Sequence, residues 1–368
     1  MIHAKPIIFV AGGTRGDVQP FIVLAKAMQR MQINVCIAAS ARWQSVIEQH
    51  HLAYIELPPD PVELLLQPRF HHALTWSITG VRATVDYLRE MRPYVHALEQ
   101  TIPRLTKHAA AIVATVASQW VARPTVWNAL PFVWGLFQPV IPTDAFATPL
   151  VSHVVHPVLN RLSHQFMNQV MWYSWGIHTA QLRGGLMNVH EQPAFVACSR
   201  GILPDWQDMQ PHHHVSGWLG PLSQSPALPE TVRQFISGDE PYAVATFGTP
   251  AANEYSDIYD IVIAAVQRLG MRLVIQVPEQ FARMVVPDGV NVIAHDVNHT
   301  ELFSRAKVVL HHGGAGTTHA CVATGVPMVV IPRGIDQYFW AQRMHTAGYI
   351  PSFIPRHSIT VESLELLM

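Results

Sequence analysis

Charged residues are scarce in this chain of 368 residues, because Asp, Glu, Lys and Arg together make up only 13% of it. Typical soluble domains carry about 25%. The formal net charge is −1, so no bulk attraction to nucleic acid is expected. Hydrophobic residues account for 49% of the chain. The composition predicts a soluble protein with large buried or lipophilic surfaces and without a nucleic-acid partner.

Cysteines and long apolar runs are also rare. Cys36, Cys198 and Cys321 lie far apart and form no Cys-x-x-Cys pair, which disfavours a disulfide framework and predicts a reducing, cytoplasmic compartment. The apolar run at the start of the chain is too short for a signal peptide and leads directly into glycines. No apolar stretch reaches the length of about 18 residues that a transmembrane helix needs.

Two α/β patterns divide the chain. A β-branched run at 6–10 leads through a glycine loop into a helical pattern over 18–31 and a strand at 35–38, which is a βαβ unit. A second series of strands and helices starts at residue 242. We therefore predict an α/β protein with two facing Rossmann-like domains and an interdomain cleft. The predicted parts are an N-terminal domain over 1–205, a Pro-rich linker region over 206–229 and a C-terminal domain over 230–368.

Two segments near the boundary have an unusual composition. Residues 151–190 are helical in period, rich in Met and Trp, and free of Asp and Glu. This pattern is typical of a buried helix pair, or of the wall of a lipophilic pocket or a face that lies on a membrane. His212, His213 and His214 lack a fourth ligand at metal-site spacing, so we interpret them as a solvated loop.

Histidines and glycines follow the predicted strand 308–311, and a helix is predicted from Thr317. A helix N-terminus exposes unpaired N–H groups and the positive end of the helix dipole, and glycines let a bulky anion approach the backbone. The pattern predicts an anion site, with a diphosphate as the anion. It matches neither GxGxxG nor the P-loop, which disfavours an NAD-dependent oxidoreductase. Because no P-loop lysine is present, neutral or protonated His312 is expected to supply the contact.

Several separated motifs resemble one family. They are His312-Gly313-Gly314-Ala315-Gly316-Thr317, Gly325-Val326-Pro327, Asp336-Gln337, the segment 296–303, Phe247-Gly248-Thr249 and the first loop, Gly12 to Pro20. Together they resemble the nucleotide-sugar glycosyltransferases of the two-domain GT-B type, in particular the family of sterol glucosyltransferases and of glycopeptide-antibiotic and macrolide glycosyltransferases. The first loop is also similar to that of the peptidoglycan-precursor N-acetylglucosamine transferases.

The resemblance implies an inverting transfer of a hexose from a UDP- or TDP-sugar to a hydroxyl group, without a bound metal or other cofactor. Asp17 occupies the family's position for the catalytic base, although it could instead only cap the following helix. Asp336 and Gln337 are suited to reading sugar hydroxyls, and Asp336 could also cap the last long helix. The implied donor-binding residues are Gly13, Thr14, Arg15, Thr249, Val297, Asn298, His312, Gly314, Gly316, Thr317, Asp336 and Gln337.

The lipophilic segment 151–190 and the low charge favour a hydrophobic acceptor, such as a sterol, carotenoid, polyketide or lipid, with a peripheral membrane contact as a further expectation. The family usually continues with a C-terminal helix that crosses back onto the first domain. Since this chain stops at Met368, the sequence predicts that the closing helix is missing or truncated. The alternative is therefore a non-catalytic relative that binds a nucleotide sugar or a partner enzyme.

Overall fold

The computed structural model divides the chain into two compact units, Met1–Gly220 and Pro221–Met368. Within the described residues, no helix combines the length and the apolar character that a membrane span requires. The described residues are 5–60, 64, 67, 70, 86–87, 89–122, 126, 129–149, 156–174, 192–203, 206–221, 227–248, 256–295, 297–334 and 336–368.

The first unit is built on a parallel sheet of seven strands in the order β3-β2-β1-β4-β5-β6-β7. Its inner strand β1 is buried along most of its length, as expected for a parallel sheet covered on both faces. The strands are β1 Ile7–Ala11, β2 Val35–Ser40, β3 Ala53–Leu57, β4 Ala111–Ala114, β5 Phe132–Leu136, β6 Ala194–Val196 and β7 His213–Val215. The described α-helices are α1 Arg15–Arg30, α2 Gln44–Gln49, α3 Arg92–Glu99, α4 Ile102–His108 and α5 Asn160–Ser174.

The second unit contains a parallel sheet of five strands in the order β10-β9-β8-β11-β12. Its core is formed by apolar side chains of the sheet and of the helices packed on it. The strands are β8 Tyr242–Thr246, β9 Arg272–Gln276, β10 Val290–Ile293, β11 Val308–His311 and β12 Met328–Val330. The described α-helices are α6 Glu230–Ser237, α7 Ser256–Arg268, α8 His299–Phe303, α9 Ala315–Thr324, α10 Asp336–Thr346 and α11 Val361–Leu367.

Two parallel sheets with flanking helices confirm the predicted α/β class. The interpretation of the histidine triplet as a solvated loop is wrong, because β7 pairs with β6 and buries His213. Three residues are too short a strand to stand out in a Pro-rich segment, and the pairing depends on a partner strand far along the chain. The edge of the first sheet therefore extends into the segment predicted as a linker.

The last helix, α11, packs on the second unit's own core. Leu364 is fully buried within that core, and Glu362 forms an exposed ion pair with Arg268 of α7 at 3.3 Å. Thr360 caps the helix by accepting a hydrogen bond from the Ser363 N–H at 3.1 Å. A helix of only seven residues is marginal by itself, so its buried leucine supplies the contact that holds it.

The predicted helix pair at 151–190 is only partly described, since residues 151–155 and 175–191 lie outside the described residues. Helix α5 is present, but it is not simply buried. Leu162 and Phe166 on this helix are 56% and 59% exposed. The first turn of the helix is held by Arg161, which forms ion pairs with Asp144 and Asp208 at 2.8 and 2.5 Å.

Candidate functional site

Each sheet has one point where the order of its strands reverses. In the second unit this point lies between β8 and β11, and in the first unit between β1 and β4. In open α/β sheets, ligands bind at the carboxyl ends of the strands beside such a reversal. The loop that follows β11 at this point contains His312 and Gly314, and Gly316 lies in the first turn of the next helix, so the fold places these three predicted residues where a ligand is expected.

The turn after β11 is held by a side chain of the strand itself. The Gly313 N–H donates to Nδ1 of the fully buried His311 at 3.0 Å. Gly313 has φ +86°, and a Cβ at this position would lie 2.9 Å from Cγ1 of Val330 and 3.0 Å from the carbonyl oxygen of Gln337. Glycine is therefore required both for the backbone conformation and for the close approach of the loop to β12 and α10.

We expect Gly313→Ala to lower the free energy of unfolding by about 2–4 kcal/mol, because it adds steric overlap to an unfavourable φ. Gly289→Ala is the matched control, since Gly289 has φ +80° but no atom within 4 Å of an added Cβ. The control should cost only about 1–2 kcal/mol. Urea unfolding of both variants measures the difference, and equal losses would contradict the close packing of the loop.

The His312 imidazole lies between two glycine loops. A Cβ on Gly314 would lie 2.5 Å from its Nε2, and a Cβ on Gly248 would lie 3.0 Å from the same atom. Burial lowers the pKa of His312 to about 4 and that of His311 to about 3. Both side chains are therefore neutral near pH 7. Of the two protonation states left open by the sequence, the neutral one is favoured for His312.

We expect the second unit to lose stability as the pH falls below about 6.5, the ordinary pKa of histidine. Burial lowers the pKa of His311, His312 and His319, so the unfolded chain binds more protons than the folded chain between about pH 6.5 and pH 4. Each histidine contributes a loss of up to about 1.4 kcal/mol per pH unit. Urea unfolding of wild type and His319→Gln at several pH values measures the slope, and an unchanged slope in the variant would contradict the assignment.

Helix α9 starts directly after this loop, with Gly314 as its N-cap. Among the described residues, no side chain caps it and no acidic residue lies in its first turn. Thr318 is turned inward, because its hydroxyl donates to the Gly314 carbonyl at 2.9 Å. The first N–H groups of a helix have no partner within the helix, so this end can accept an anion. Thr317 is half-buried at the same end.

A chain of polar side chains that sequence reasoning missed lies at the ends of β8 and β9. The amide oxygen of Gln276 accepts from the Thr246 hydroxyl at 3.0 Å and faces Nε2 of His299 at 2.8 Å. The Gln276 amide nitrogen donates to the His295 carbonyl at 3.1 Å. A polar residue at the carboxyl end of an otherwise apolar strand could have indicated Gln276, but its partners depend on the fold.

Two further predicted donor-binding residues of the second unit, Val297 and Asn298, lie between β10 and α8. Asn298 is the N-cap of α8, and its side-chain oxygen accepts from the N–H groups of Thr300 and Glu301. Val297 is buried beside it. Thr249 lies outside the described residues.

Asp336 and Gln337 begin α10. The Gln337 side-chain oxygen accepts from the Arg333 N–H at 2.9 Å, and the Gln337 carbonyl faces Gly313. Asp336 is the first residue of the helix and half-buried. The start of α10 is thus packed against the glycine loop at Gly313.

The predicted residues of the first unit form one turn at the end of β1. Asp17 accepts through Oδ2 from the Thr14 N–H at 2.8 Å and from the Thr14 hydroxyl at 3.1 Å, so it caps α1. The helix consequently begins at Arg15, three residues earlier than predicted. Arg15 donates from Nε to Gln19 at 2.8 Å, and burial lowers its pKa. The Gly13 N–H donates to Asp60 at 2.8 Å.

The capping geometry shows that Asp17 fills the structural role that the sequence left open as an alternative to the base. It does not remove the second role, because a carboxylate that caps a helix keeps acceptor positions that the cap does not use. Among the described residues, no group of three or more His, Cys, Asp or Glu side chains could hold a metal ion. The three cysteines are buried and unpaired.

Two family models match the chain, one in each half. Residues 7–120 match the glycosyltransferase family 28 N-terminal domain. Residues 260–364 match the C-terminal domain of the erythromycin biosynthesis protein CIII-like family. These matches contain the first glycine loop and the glycine loop after β11, and they confirm the resemblance predicted from those loops.

Proteins similar to this chain in sequence include sterol and antibiotic glycosyltransferases. Sterol 3-beta-glucosyltransferase UGT80A2 of Arabidopsis thaliana is 26% identical over 99% of this chain and 60% of the relative. O-mycaminosyltylonolide 6-deoxyallosyltransferase of Streptomyces fradiae is 25% identical over 97% of this chain and 87% of the relative. The chain thus spans about 60% of the length of the sterol glucosyltransferases that it matches.

Solved structures share the fold. The kitacinnamycin glycotransferase superposes with a TM-score of 0.70 at 17% identity, covering 99% of this chain and 90% of the other. The spinosyn rhamnosyltransferase SpnG, complexed with thymidine diphosphate, gives a TM-score of 0.67 at 17% identity over 98% and 90% of the two chains. At this identity the likeness establishes the fold alone.

Proposed function

We propose that this chain, which carries the domains and the GT-B fold of glycosyltransferases, moves a hexose from a UDP- or TDP-sugar to a hydroxyl group of a lipophilic small molecule. The observation that carries this proposal is the N-terminus of α9, which no side chain of the described residues caps and which follows Gly314 beside neutral His312 at the reversal point of the second sheet. An anion at this position would meet unpaired N–H groups and the positive end of the helix dipole.

The proposed reaction is an inverting displacement. The acceptor oxygen attacks the anomeric carbon from the face opposite the diphosphate, the bond to the diphosphate breaks, and no covalent enzyme intermediate forms. Asp17 takes the proton of the acceptor hydroxyl as the oxygen attacks. Fixed donors at the start of α9, with His312, Thr317 and Thr249, stabilise the departing diphosphate without a metal ion.

The identity of the donor follows from the relatives only as far as the nucleoside diphosphate. Thymidine diphosphate in complex with SpnG supports a pyrimidine nucleotide. In our proposal the loop with Val297 and Asn298 holds the base through its backbone, and Asp336 and Gln337 bind sugar hydroxyls. The N–H groups of Gly13 and Thr14, two of the predicted donor-binding residues, already donate to Asp60 and Asp17, so the proposal keeps Arg15 as the donor contact of the first unit. The reaction requires no further cofactor.

The direct test is nucleotide release. The chain is incubated with UDP-glucose or TDP-glucose and a panel of hydroxylated hydrophobic acceptors, namely sterols, carotenols, macrolide aglycones and hydroxylated lipids, and free nucleotide is measured. Acceptor-dependent release, with the glycoside detected by mass spectrometry, is the expected result. Hydrolysis that does not depend on an acceptor, or no release with any pair, would contradict the proposed activity.

A non-catalytic relative that binds a nucleotide sugar or a partner enzyme is the second candidate. It is favoured by the internal use of Asp17 as a helix cap, since a capping carboxylate has a structural reason to be present. Both candidates predict that UDP or TDP binds to the second unit. They differ in turnover: binding seen by calorimetry without transfer to any acceptor would support the non-catalytic candidate.

The acceptor and a peripheral membrane contact are proposed from one surface of the first unit, which we call the apolar stripe. Its four side chains have exposed fractions between 46% and 76%, and residues 145–190 contain no Asp or Glu. An exposed apolar surface on a segment without Asp or Glu favours contact with lipid, on which a cytoplasmic enzyme would reach a lipophilic acceptor. The stripe consists of Val158, Leu159, Leu162 and Phe166.

We expect the double variant Leu162→Ser/Phe166→Ser to bind phosphatidylcholine–phosphatidylglycerol vesicles at least about tenfold more weakly than wild type, because inserting one such side chain contributes roughly 1.5–3 kcal/mol. Sedimentation with vesicles measures the change. Leu366→Ser is the control, since Leu366 is 85% exposed on the other unit. Wild-type protein that does not sediment with vesicles, or an unaffected double variant, would contradict a membrane contact at the stripe.

A further inference from the structure

The glycine loops at the two reversal points differ in one respect. After β11, no described side chain caps the N-terminus of α9. After β1, three consecutive backbone N–H groups each have a side-chain acceptor. Gly12 donates to the hydroxyl of Ser118 at 2.6 Å, Gly13 to Oδ2 of Asp60 at 2.8 Å and Thr14 to Oδ2 of Asp17 at 2.8 Å. The first loop is thus closed by the protein's own side chains.

The acceptor of Gly13 comes from a distant part of the chain. Asp60 follows β3, 47 residues after Gly13, and only 3% of it is exposed. A buried carboxylate is unfavourable unless hydrogen bonds compensate for its lost hydration. Its charge is also felt by buried Tyr87, whose pKa is raised by burial and, to a smaller extent, by Asp60. The hydrogen bond from the Gly13 N–H is one interaction that compensates for the burial of the Asp60 carboxylate.

The loop fits closely around this carboxylate. A Cβ on Gly12 would lie 2.6 Å from Oδ2 of Asp60 and 2.8 Å from Oγ of Ser118, and a Cβ on Gly13 would overlap the carboxylate of Asp17. Gly13 has φ +102°, which favours glycine. Its carbonyl accepts from Nη2 of Arg42 at 2.5 Å. Both polar backbone atoms of Gly13 are therefore held by side chains from other elements.

We propose that Asp60 is a positioning residue for the proposed reaction: it holds the peptide of Gly13 in the left-handed turn from which α1 starts, and so keeps the Asp17 carboxylate in place. Asp60 does not itself contact a substrate in this proposal. The inference rests on the proposed function, in which Asp17 is the base. Ser118 follows β4, the strand next to β1, and its hydroxyl supports the same turn by accepting from the Gly12 N–H.

The expected kinetic result follows from the role of the turn. Displacing a reacting group by about 1 Å can cost about 100-fold in rate, so Asp60→Ala should lower kcat by roughly 10- to 100-fold. The KM for the nucleotide sugar should change less than about threefold, because most of the proposed donor contacts lie in the second unit. Asp60→Asn keeps one oxygen that can accept from Gly13, and it should recover at least about one third of the wild-type kcat.

Amide hydrogen exchange provides a second measurement that does not depend on catalysis. Peptides covering residues 12–17 should exchange at least about tenfold faster in Asp60→Ala than in wild type, and at the wild-type rate in Asp60→Asn. Asp86→Ala is the control, since Asp86 lies in the same unit and, among the described residues, forms an exposed ion pair with Arg89 at 3.5 Å. If Asp60→Ala does not fold, Ser118→Ala, which removes the acceptor of Gly12, replaces it.

The outcomes separate the two proposals. Wild-type protein without transfer activity would refute the proposed function. The exchange measurement would still test whether Asp60 stabilises the turn at residues 12–17. Unchanged exchange in the variants overturns the role of Asp60 in the turn. Faster exchange with wild-type kcat overturns the link from the turn to Asp17. A loss of kcat that Asp60→Asn does not recover overturns the role of the hydrogen bond to Gly13.

Discussion

Asp17→Asn is expected to lower kcat for sugar transfer by about 100- to 10,000-fold, the range that a general base contributes. Asparagine cannot take a proton from the acceptor hydroxyl. It nevertheless keeps an oxygen that can accept from the Thr14 N–H, which Asp17 now holds at 2.8 Å. The substitution therefore removes the proposed base and leaves the cap of α1 in place. Nucleotide release with the best acceptor measures the effect.

Two controls separate the base from the cap. The thermal midpoint of Asp17→Asn should lie within a few degrees of wild type, because the cap is retained. UDP binding, measured by calorimetry, should change little, since the proposed diphosphate site lies in the second unit. Turnover at the wild-type rate would refute Asp17 as the base. A loss of turnover together with a large fall in the thermal midpoint would assign Asp17 to the cap.

Gly316→Asp is expected to weaken UDP binding on the order of 100-fold, because it places a carboxylate where the diphosphate is proposed to lie and removes charge-assisted hydrogen bonds. Gly316 lies in the first turn of α9, and no atom of the described residues lies within 4 Å of an added Cβ. A carboxylate in the first turn interacts favourably with the helix dipole, by about 0.3–1 kcal/mol. The variant should therefore bind poorly although it is folded and no less stable.

Gly316→Ala is the matched control for this prediction. It adds the same Cβ without the charge, and it should raise helix stability by up to about 1 kcal/mol. Its UDP affinity should lie much closer to wild type than that of Gly316→Asp. Calorimetric titration with UDP and TDP gives both values. Equal affinity in all three proteins would exclude the N-terminus of α9 as the diphosphate site, and with it the central part of the proposed function.

Much of the second unit could be predicted because its local signals agree. The predicted strand 308–311 is β11 with those bounds, and the second series of strands and helices contains β8 from Tyr242, the predicted starting residue. Each run ends at Gly, Pro or polar residues that cannot continue it. Prediction was poorer in the first unit, where β3, β5, β6 and β7 were missed. β6 and β7 have only three residues each, and β6 pairs with β5, which lies far upstream in the chain, so no local pattern reveals the pairing.

The proposed site divides in the same way. His312, Gly314 and Gly316 were predicted because glycines and polar residues between a buried strand and a helix are typical of a loop that binds an anion. Gln276 and Asp60 were missed, since a single polar residue gains meaning only from the partners that the fold brings to it. The protonation state of His312 was also left open, because burial is the main cause that lowers its pKa, and burial cannot be read from neighbouring residues.

By itself, the sequence determined the class of fold and the position of a glycine loop before a helix, since these depend on periodicity and on residues adjacent in the chain. Only the tertiary structure decided which glycine loop is open and which is closed. In the first unit, Asp60 and Ser118, which follow β3 and β4, accept from the N–H groups of Gly13 and Gly12. In the second unit, the start of α9 has no capping side chain among the described residues. Hydrogen bonds between segments far apart in sequence depend on strand order, and strand order is a property of the folded sheet.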